Sequence, residues 1–223
     1  MKTKGMGIAL LSAAALLGGA AAQAELPWNY IEGGYTKAPG TENFDTTAWD
    51  IKASIGFASK WHASLQYQDG STDVNSGSDL DFDGYRLVVG AHPQLTPNTQ
   101  LLTDLTYFNY DFDGGEGADG FGVGLGLRHG LTDKLELTAE AWYTQSSVDN
   151  SFGGGSTDVY DTAVEVGGRY NWTPEFSTGL TVNIGGGVGG GGLSSFSGNV
   201  ARFDVRWSFL GAASDSANVS DSY

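Results

Sequence analysis

The sequence predicts an all-β fold: a single antiparallel up-and-down transmembrane β-barrel of about ten strands. Long acidic extracellular loops and short periplasmic turns would join them. Three observations predict this. Apolar and polar residues alternate with period two over stretches of about ten residues, as in membrane-barrel strands. Long and short connections alternate along the chain. Aromatic residues gather near both ends of the apolar faces, as two bilayer interfaces require.

Ten segments carry the alternation. The first, residues 29–37, is the least regular. The second, 47–58, sets Trp49, Ile51, Ala53, Ile55 and Phe57 against Asp50, Lys52, Ser54 and Gly56. The third, 61–70, opposes Trp61, Ala63, Leu65 and Tyr67 to His62, Ser64, Gln66 and Gln68. Segments 82–92 and 99–110 follow. In 119–130, Phe121, Val123, Leu125 and Leu127 face away from Gly122, Gly124, Gly126 and Arg128. The segment 134–146 contains "LELTAEAWY", rich in helix formers, yet Leu135, Leu137, Ala139, Ala141 and Tyr143 keep period two. Segments 159–172 and 175–186 precede the last, 199–210, which contains "ARFDVRWSFL" at 201–210. There Phe203, Val205, Trp207 and Phe209 would face lipid, while Arg202, Asp204, Arg206 and Ser208 would face the lumen.

The odd-numbered connections are the longer ones, for instance "GSTDVNSGSDLD"; the even ones, such as "SK" and "GLT", are shorter. An even strand number places both barrel termini in the periplasm. Trp49, Tyr67, Tyr85, Tyr107, Phe121, Tyr143 and Tyr160 fall near the long-loop ends, and Phe57, Trp61, Trp172, Phe176 and Phe209 near the short-turn ends.

Residues 1–24 read as a secretory signal peptide: Lys2 and Lys4, an apolar run from Ile8 to Ala22, then Ala22-Gln23-Ala24. Residues 25–210 form the barrel domain and 211–223 a flexible periplasmic tail. The chain has no cysteine, so an exported fold must be held by means other than disulfides, and a closed hydrogen-bonded ladder would do that. The formal charge of −15 argues against a nucleic-acid partner. Expected partners are outer-membrane lipid and lipopolysaccharide, and the barrel-assembly machinery and periplasmic chaperones during biogenesis.

Glu32, Asp50, Asp104, Glu136, Glu140, Glu165 and Asp204 would enter the lumen, with Lys52, Arg86, Arg128, Arg169, Arg202 and Arg206. Buried charges need partners, so near-balance predicts a paired network that partly fills the barrel. Gly122, Gly124 and Gly126 leave room for inward Phe108 and Trp142. The outer connections and their margins hold fourteen acids against Lys37 alone, a solvated acidic rim. Within it "DLDFDG" gives Asp79, Asp81 and Asp83 the spacing of a calcium loop, but Gly90 stands where the bidentate Glu belongs. No cofactor is expected beyond this calcium candidate.

No enzyme is expected. His62, His92 and His129 all fall at the short-turn end, away from the rim where an outer-membrane hydrolase would need a general base. Three functions remain, in falling order: a structural or surface-interaction barrel, a narrow channel for ions or small solutes, and a hydrolase.

"WNYIEGGYTK" and "DFDGYRLVVGAHPQLTPNTQLLTDLTYFNYDFD" resemble a proteobacterial family of small outer-membrane barrels often labelled quorum or immune-activating factors. The residue-specific part is Tyr30-Ile31-Glu32-Gly33-Gly34-Tyr35 and Phe82-Asp83-Gly84-Tyr85. More loosely the chain is similar to OmpA- and OmpX-type barrels. The resemblance implies a barrel in the cell outer membrane, and it carries over no functional residue. The last segment also resembles the C-terminal assembly signal of such barrels, with Asp204 in place of the usual glycine.

Overall fold

The computed structural model describes residues 27–38, 44–58, 60–74, 78–113, 116–150, 155–185 and 200–209. The proposed leader and tail lie outside them. Eleven strands form: β1 Tyr30–Ala38, β2 Phe44–Phe57, β3 Trp61–Val74, β4 Ser78–Ala91, β5 Gln94–Thr96, β6 Thr99–Phe112, β7 Glu116–Gly130, β8 Leu135–Asn150, β9 Gly155–Asn171, β10 Phe176–Ile184 and β11 Val200–Ser208. Every pairing is antiparallel. β1 pairs with β11, and β4 with β6, so ten strands close into a barrel; β5 is a short flap paired only to the start of β6. The helix-forming composition of "LELTAEAWY" loses to this pairing, because from Glu136 to Val148 β8 is paired on both sides, with β7 and with β9.

Tyr30 lies opposite Ser208, so both barrel termini share one end, called here the near end. The turns 58–60, 131–134 and 172–175 are also there. At the far end the strands outrun the sequence reading. β3 and β4 stay in register to Val74 and Ser78, so only residues 75–77 separate them, in a connection expected to be a long loop. β7 likewise begins at Glu116, β8 runs to Asn150 and β9 begins at Gly155.

The physical reason is a reversal of facing polarity along single strands. In the lower part, apolar residues point out: Leu65, Leu87, Leu105 and Leu125 are more than two-fifths exposed. Charges there point in; Glu32, Asp50, Arg128, Glu136 and Asp204 are buried. Trp49, Tyr67, Tyr85, Tyr107, Phe121, Tyr143 and Tyr160 then ring the outside, with Tyr107 and Phe121 centroids 5.1 Å apart and Trp49 and Tyr67 5.8 Å apart. Above this girdle the rule inverts. Asp81, Asp83 and Asp111 point out, while Phe82, Tyr110 and Phe112 point in. Ala38, Ala48, Phe82, Phe108, Tyr110, Phe112, Ala118 and Val200 form an apolar core inside the barrel wall. Below the girdle the outside medium suits alkyl groups; above it the outside is water, and the interior takes the apolar side chains. Outward carboxylates in series look like loop composition when only the lower rule is applied.

The second belt sits at the near end, where Phe57, Trp61, Trp172 and Phe209 are exposed. The band between the two belts is uncharged on its outer face over the described residues.

Candidate functional site

The lumen holds all thirteen charges assigned to it from the sequence. Their pairing is uneven. On the wall made by β9, β11, β1 and β2, Glu32 is a hub. Its Oε2 accepts from Arg169 Nη2 at 2.9 Å and from Arg206 Nε at 2.7 Å, and its Oε1 lies 2.9 Å from Arg202 Nη1. Arg202 also donates to both oxygens of Asp50, at 2.9 and 2.6 Å, and to Asp204 at 3.0 Å. Arg169 reaches Asp204 at 2.6 Å. The Arg206 guanidinium carbon lies 3.7 Å from the Tyr30 ring centroid. Three guanidinium groups and three carboxylates therefore neutralise one another inside a low-dielectric space, with most donors used.

This wall explains the first resemblance motif. Tyr30, Glu32 and Gly34 share the inward face of β1: a cation–π platform, the ion hub, and a gap. A Cβ on Gly34 would collide with the Arg202 guanidinium and the Asp50 carboxylate, so the pair can lie flat only over glycine. The second motif has a similar reason. Phe82 enters the upper core, Tyr85 joins the girdle, and Gly84 makes room for the Tyr110 ring, which occupies the position a Cβ would take.

The opposite wall, on β6 and β8, is acidic. Asp104 and Glu140 are buried and hydrogen-bond each other, and Glu140 lies directly across from Glu165 in the β8–β9 register. Arg86 faces them from β4, its guanidinium carbon 4.3 Å from the Trp142 ring centroid and its Nε donating to Thr106 Oγ1 at 3.0 Å. Trp142 covers Gly124 as the small-residue pattern predicts; Phe108 lies over Gly120, one inward position further up than the three glycines named. A cavity of about 230 Å³ remains between the walls, bordered by Lys52, Arg86, Asp104, Glu140 and Arg202.

The near end of the lumen is filled by a residue that the strand pattern did not single out. Trp28 lies just before β1 and turns inward. Its ring stacks on His62 (4.0 Å between centroids, 18° between planes) and on His92 (4.4 Å, 17°). The Arg128 guanidinium carbon stands 4.9 Å from the same ring and is itself held by Glu136 at 2.7 and 2.8 Å. His62 Nε2 comes within 3.4 Å of Asp104 Oδ1. His129 instead bonds Thr99 Oγ1 at 2.9 Å. All three histidines are at the near end as expected, but His62 and His92 are inward ring partners, not interface residues. The sequence signal was available: a lone Trp ahead of the first strand, two residues before the inward Tyr30.

Asp79, Asp81 and Asp83 occupy consecutive outward positions on β4. Along a strand such positions are about 7 Å apart, so the three carboxylates form an outward row and not a turn of a loop. Asp83 lies opposite both Asp69 and Asp111, and Asp79 opposite Asp73, so like charges meet across the strands. The Asp79 carboxyl hydrogen-bonds Asp73 and raises its pKa.

No protein-family model matches the chain, and no curated protein matches it. Among solved structures, the translocator domain of the autotransporter NalP from Neisseria meningitidis aligns with a TM-score of 0.52 at 12% identity, over 81% of this chain and 88% of that one. A KdgM porin gives a TM-score of 0.42 at 13% identity, over 81% of this chain and 99% of that one. The N-terminal β-barrel domain of Pseudomonas aeruginosa OprF gives 0.36 at 14%, over 82% and 100%. At these identities the likeness concerns the fold: an outer-membrane β-barrel.

Proposed function

Starting from an outer-membrane-type β-barrel, we propose that this chain is an integral outer-membrane protein with a closed lumen and a structural or surface-interaction role. The observation that carries the reading is that inward side chains tie together strands that are not neighbours in the sheet. Arg169 of β9 grips Glu32 of β1, Arg86 of β4 caps Trp142 of β8, and Tyr110 of β6 donates to Gln68 of β3 at 3.2 Å. Contacts of this kind rigidify a barrel and narrow its lumen, and the Trp28 stack fills the near end of what remains. The far-end strand extensions, acidic outside and aromatic inside, then form a stiff platform beyond the girdle. Surface elements of this kind carry recognition.

The reading places the protein in the cell outer membrane, within the resembled family of small barrels, with lipopolysaccharide around the girdle and the assembly machinery and chaperones acting during export. A non-enzymatic role is supported by the separation between the near-end histidines and the far-end acids, which leaves the rim without an imidazole base among the described residues. Planar-bilayer recording of the purified full chain at neutral pH tests the reading: little or no steady conductance is expected, and large stable openings would overturn it. Cell fractionation with surface proteolysis checks location, since cleavage should fall beyond the girdle.

A further inference from the structure

The near-end seal is made by a segment that belongs to no strand. Asn29 pins it at two points: its Oδ1 accepts the Gly56 N–H at 2.8 Å, and its carbonyl accepts the Phe209 N–H at 2.8 Å. Pro27 O accepts a long bond from Arg128 at 3.5 Å. Between these anchors Trp28 is held by ring stacking and one guanidinium, with no hydrogen bond from its indole nitrogen. Trp28 also borders the lumenal cavity, which continues past Lys52, Asp104 and Glu140 toward Thr36 and Asn183 near the girdle. The upper aromatic core stands mainly on β4 and β6, beside this route.

The charges along the route are not equivalent. Arg169, Arg202 and Arg206 are neutralised by Glu32, Asp50 and Asp204. On the other wall Asp104 and Glu140 share one hydrogen bond, which leaves the buried Asp104 Oδ1 and Glu140 Oε1 without one of their own; His62 Nε2, 3.4 Å from Asp104 Oδ1, comes from the stack under Trp28. Glu165 adds a third carboxyl opposite Glu140, and Lys52 and Arg86 are the two cations that border the same stretch of cavity. We propose that residues 27–29 are a removable plug, and that without it the barrel is a narrow pore for small inorganic cations. This rests on the closed-lumen reading: the plug matters only if the intact chain is sealed.

Two variants remove the plug by independent means. Trp28→Ala deletes the stacked ring. Gly56→Val leaves Trp28 intact but displaces it, because even a Cβ at Gly56 would lie 2.9 Å from Trp28 Cβ. Each full-length variant is reconstituted in planar bilayers under a potassium chloride gradient, and heat-modified gel mobility verifies that the barrel is folded. The expected result is a silent parent chain and small openings in both variants, with reversal potentials favouring potassium over chloride. If the parent conducts as the variants do, the closed-lumen reading fails. If the parent and the folded variants are all silent, the plug inference fails and the closed lumen stands. Chloride-selective openings would overturn the assignment of the acidic wall. Should neither variant fold, the segment is a structural keystone and the proposal falls; if only one folds, its recording decides.

Discussion

The lower and upper halves of the same strands obey opposite rules, and the contrast separates the energetics of the two media. On β4, Leu87 and Val89 face out and Arg86 faces in; a few residues earlier, Asp81 and Asp83 face out and Phe82 faces in. Register is continuous between the two parts, so no bulge or turn marks the change. What changes is the solvent outside the wall. Below the girdle, inward charges must find partners within the barrel, which produces the Glu32 hub. Above it, outward charges are hydrated and can oppose one another directly, as Asp69, Asp83 and Asp111 do. A carboxylate is thus a structural element in one half and a solubilising one in the other.

The contrast breaks most sharply at Glu32. Glu32→Ala leaves Arg169, Arg202 and Arg206 to share two carboxylates in a buried space, and should cost about 3–5 kcal/mol in urea unfolding from vesicles. A loss below 1 kcal/mol would mean that the hub is hydrated and the lower half is not special. Next comes a pair of outward substitutions. Leu125→Arg, outward between the belts, should cost about 2–4 kcal/mol. Asp81→Arg, also outward but above the girdle, should stay within about 0.5 kcal/mol of the parent. Equal penalties at the two sites would mean that the girdle does not mark the edge of the membrane.

The smallest effect is expected at Asp73, whose hydrogen bond with Asp79 raises its pKa. The folded hairpin holds that proton more tightly than the unfolded chain does. Its contribution is therefore present at low pH and is lost as pH rises through the raised value. Asp73→Asn should slow amide exchange in the β3–β4 hairpin at neutral pH relative to the parent. The difference should shrink as the pH approaches about 4, the ordinary carboxylate range. A difference independent of pH would show that the hairpin feels only side-chain bulk.

Much of the lower half was legible in the sequence. Alternation in 47–58 or 119–130 assigns each side chain a face without reference to any distant residue, because a strand's side-chain period is set by local backbone geometry. Hence all thirteen lumen charges, and both aromatic belts, follow from pattern alone. The ends of the upper half read as loops because their alternation is inverted: "SDLD" before residue 82 and "DFD" after residue 110 place acids where the lower rule expects apolar groups. The pattern was there at period two; only the sign differed.

Partner choice could not be read in this way. Seven acids and six bases in the lumen suggested general pairing, yet Arg169, Arg202 and Arg206 collect around Glu32, Asp50 and Asp204, while Asp104, Glu140 and Glu165 gather elsewhere with Arg86 as their nearest guanidinium. The Trp28 stack joins residues from the segment before β1, from β3 and from the turn after β4. Facing is a property of one strand and is written into consecutive residues. Which inward groups meet depends on ring closure, stagger and the chords across the lumen, and those exist only once β4 has closed on β6 and β1 on β11.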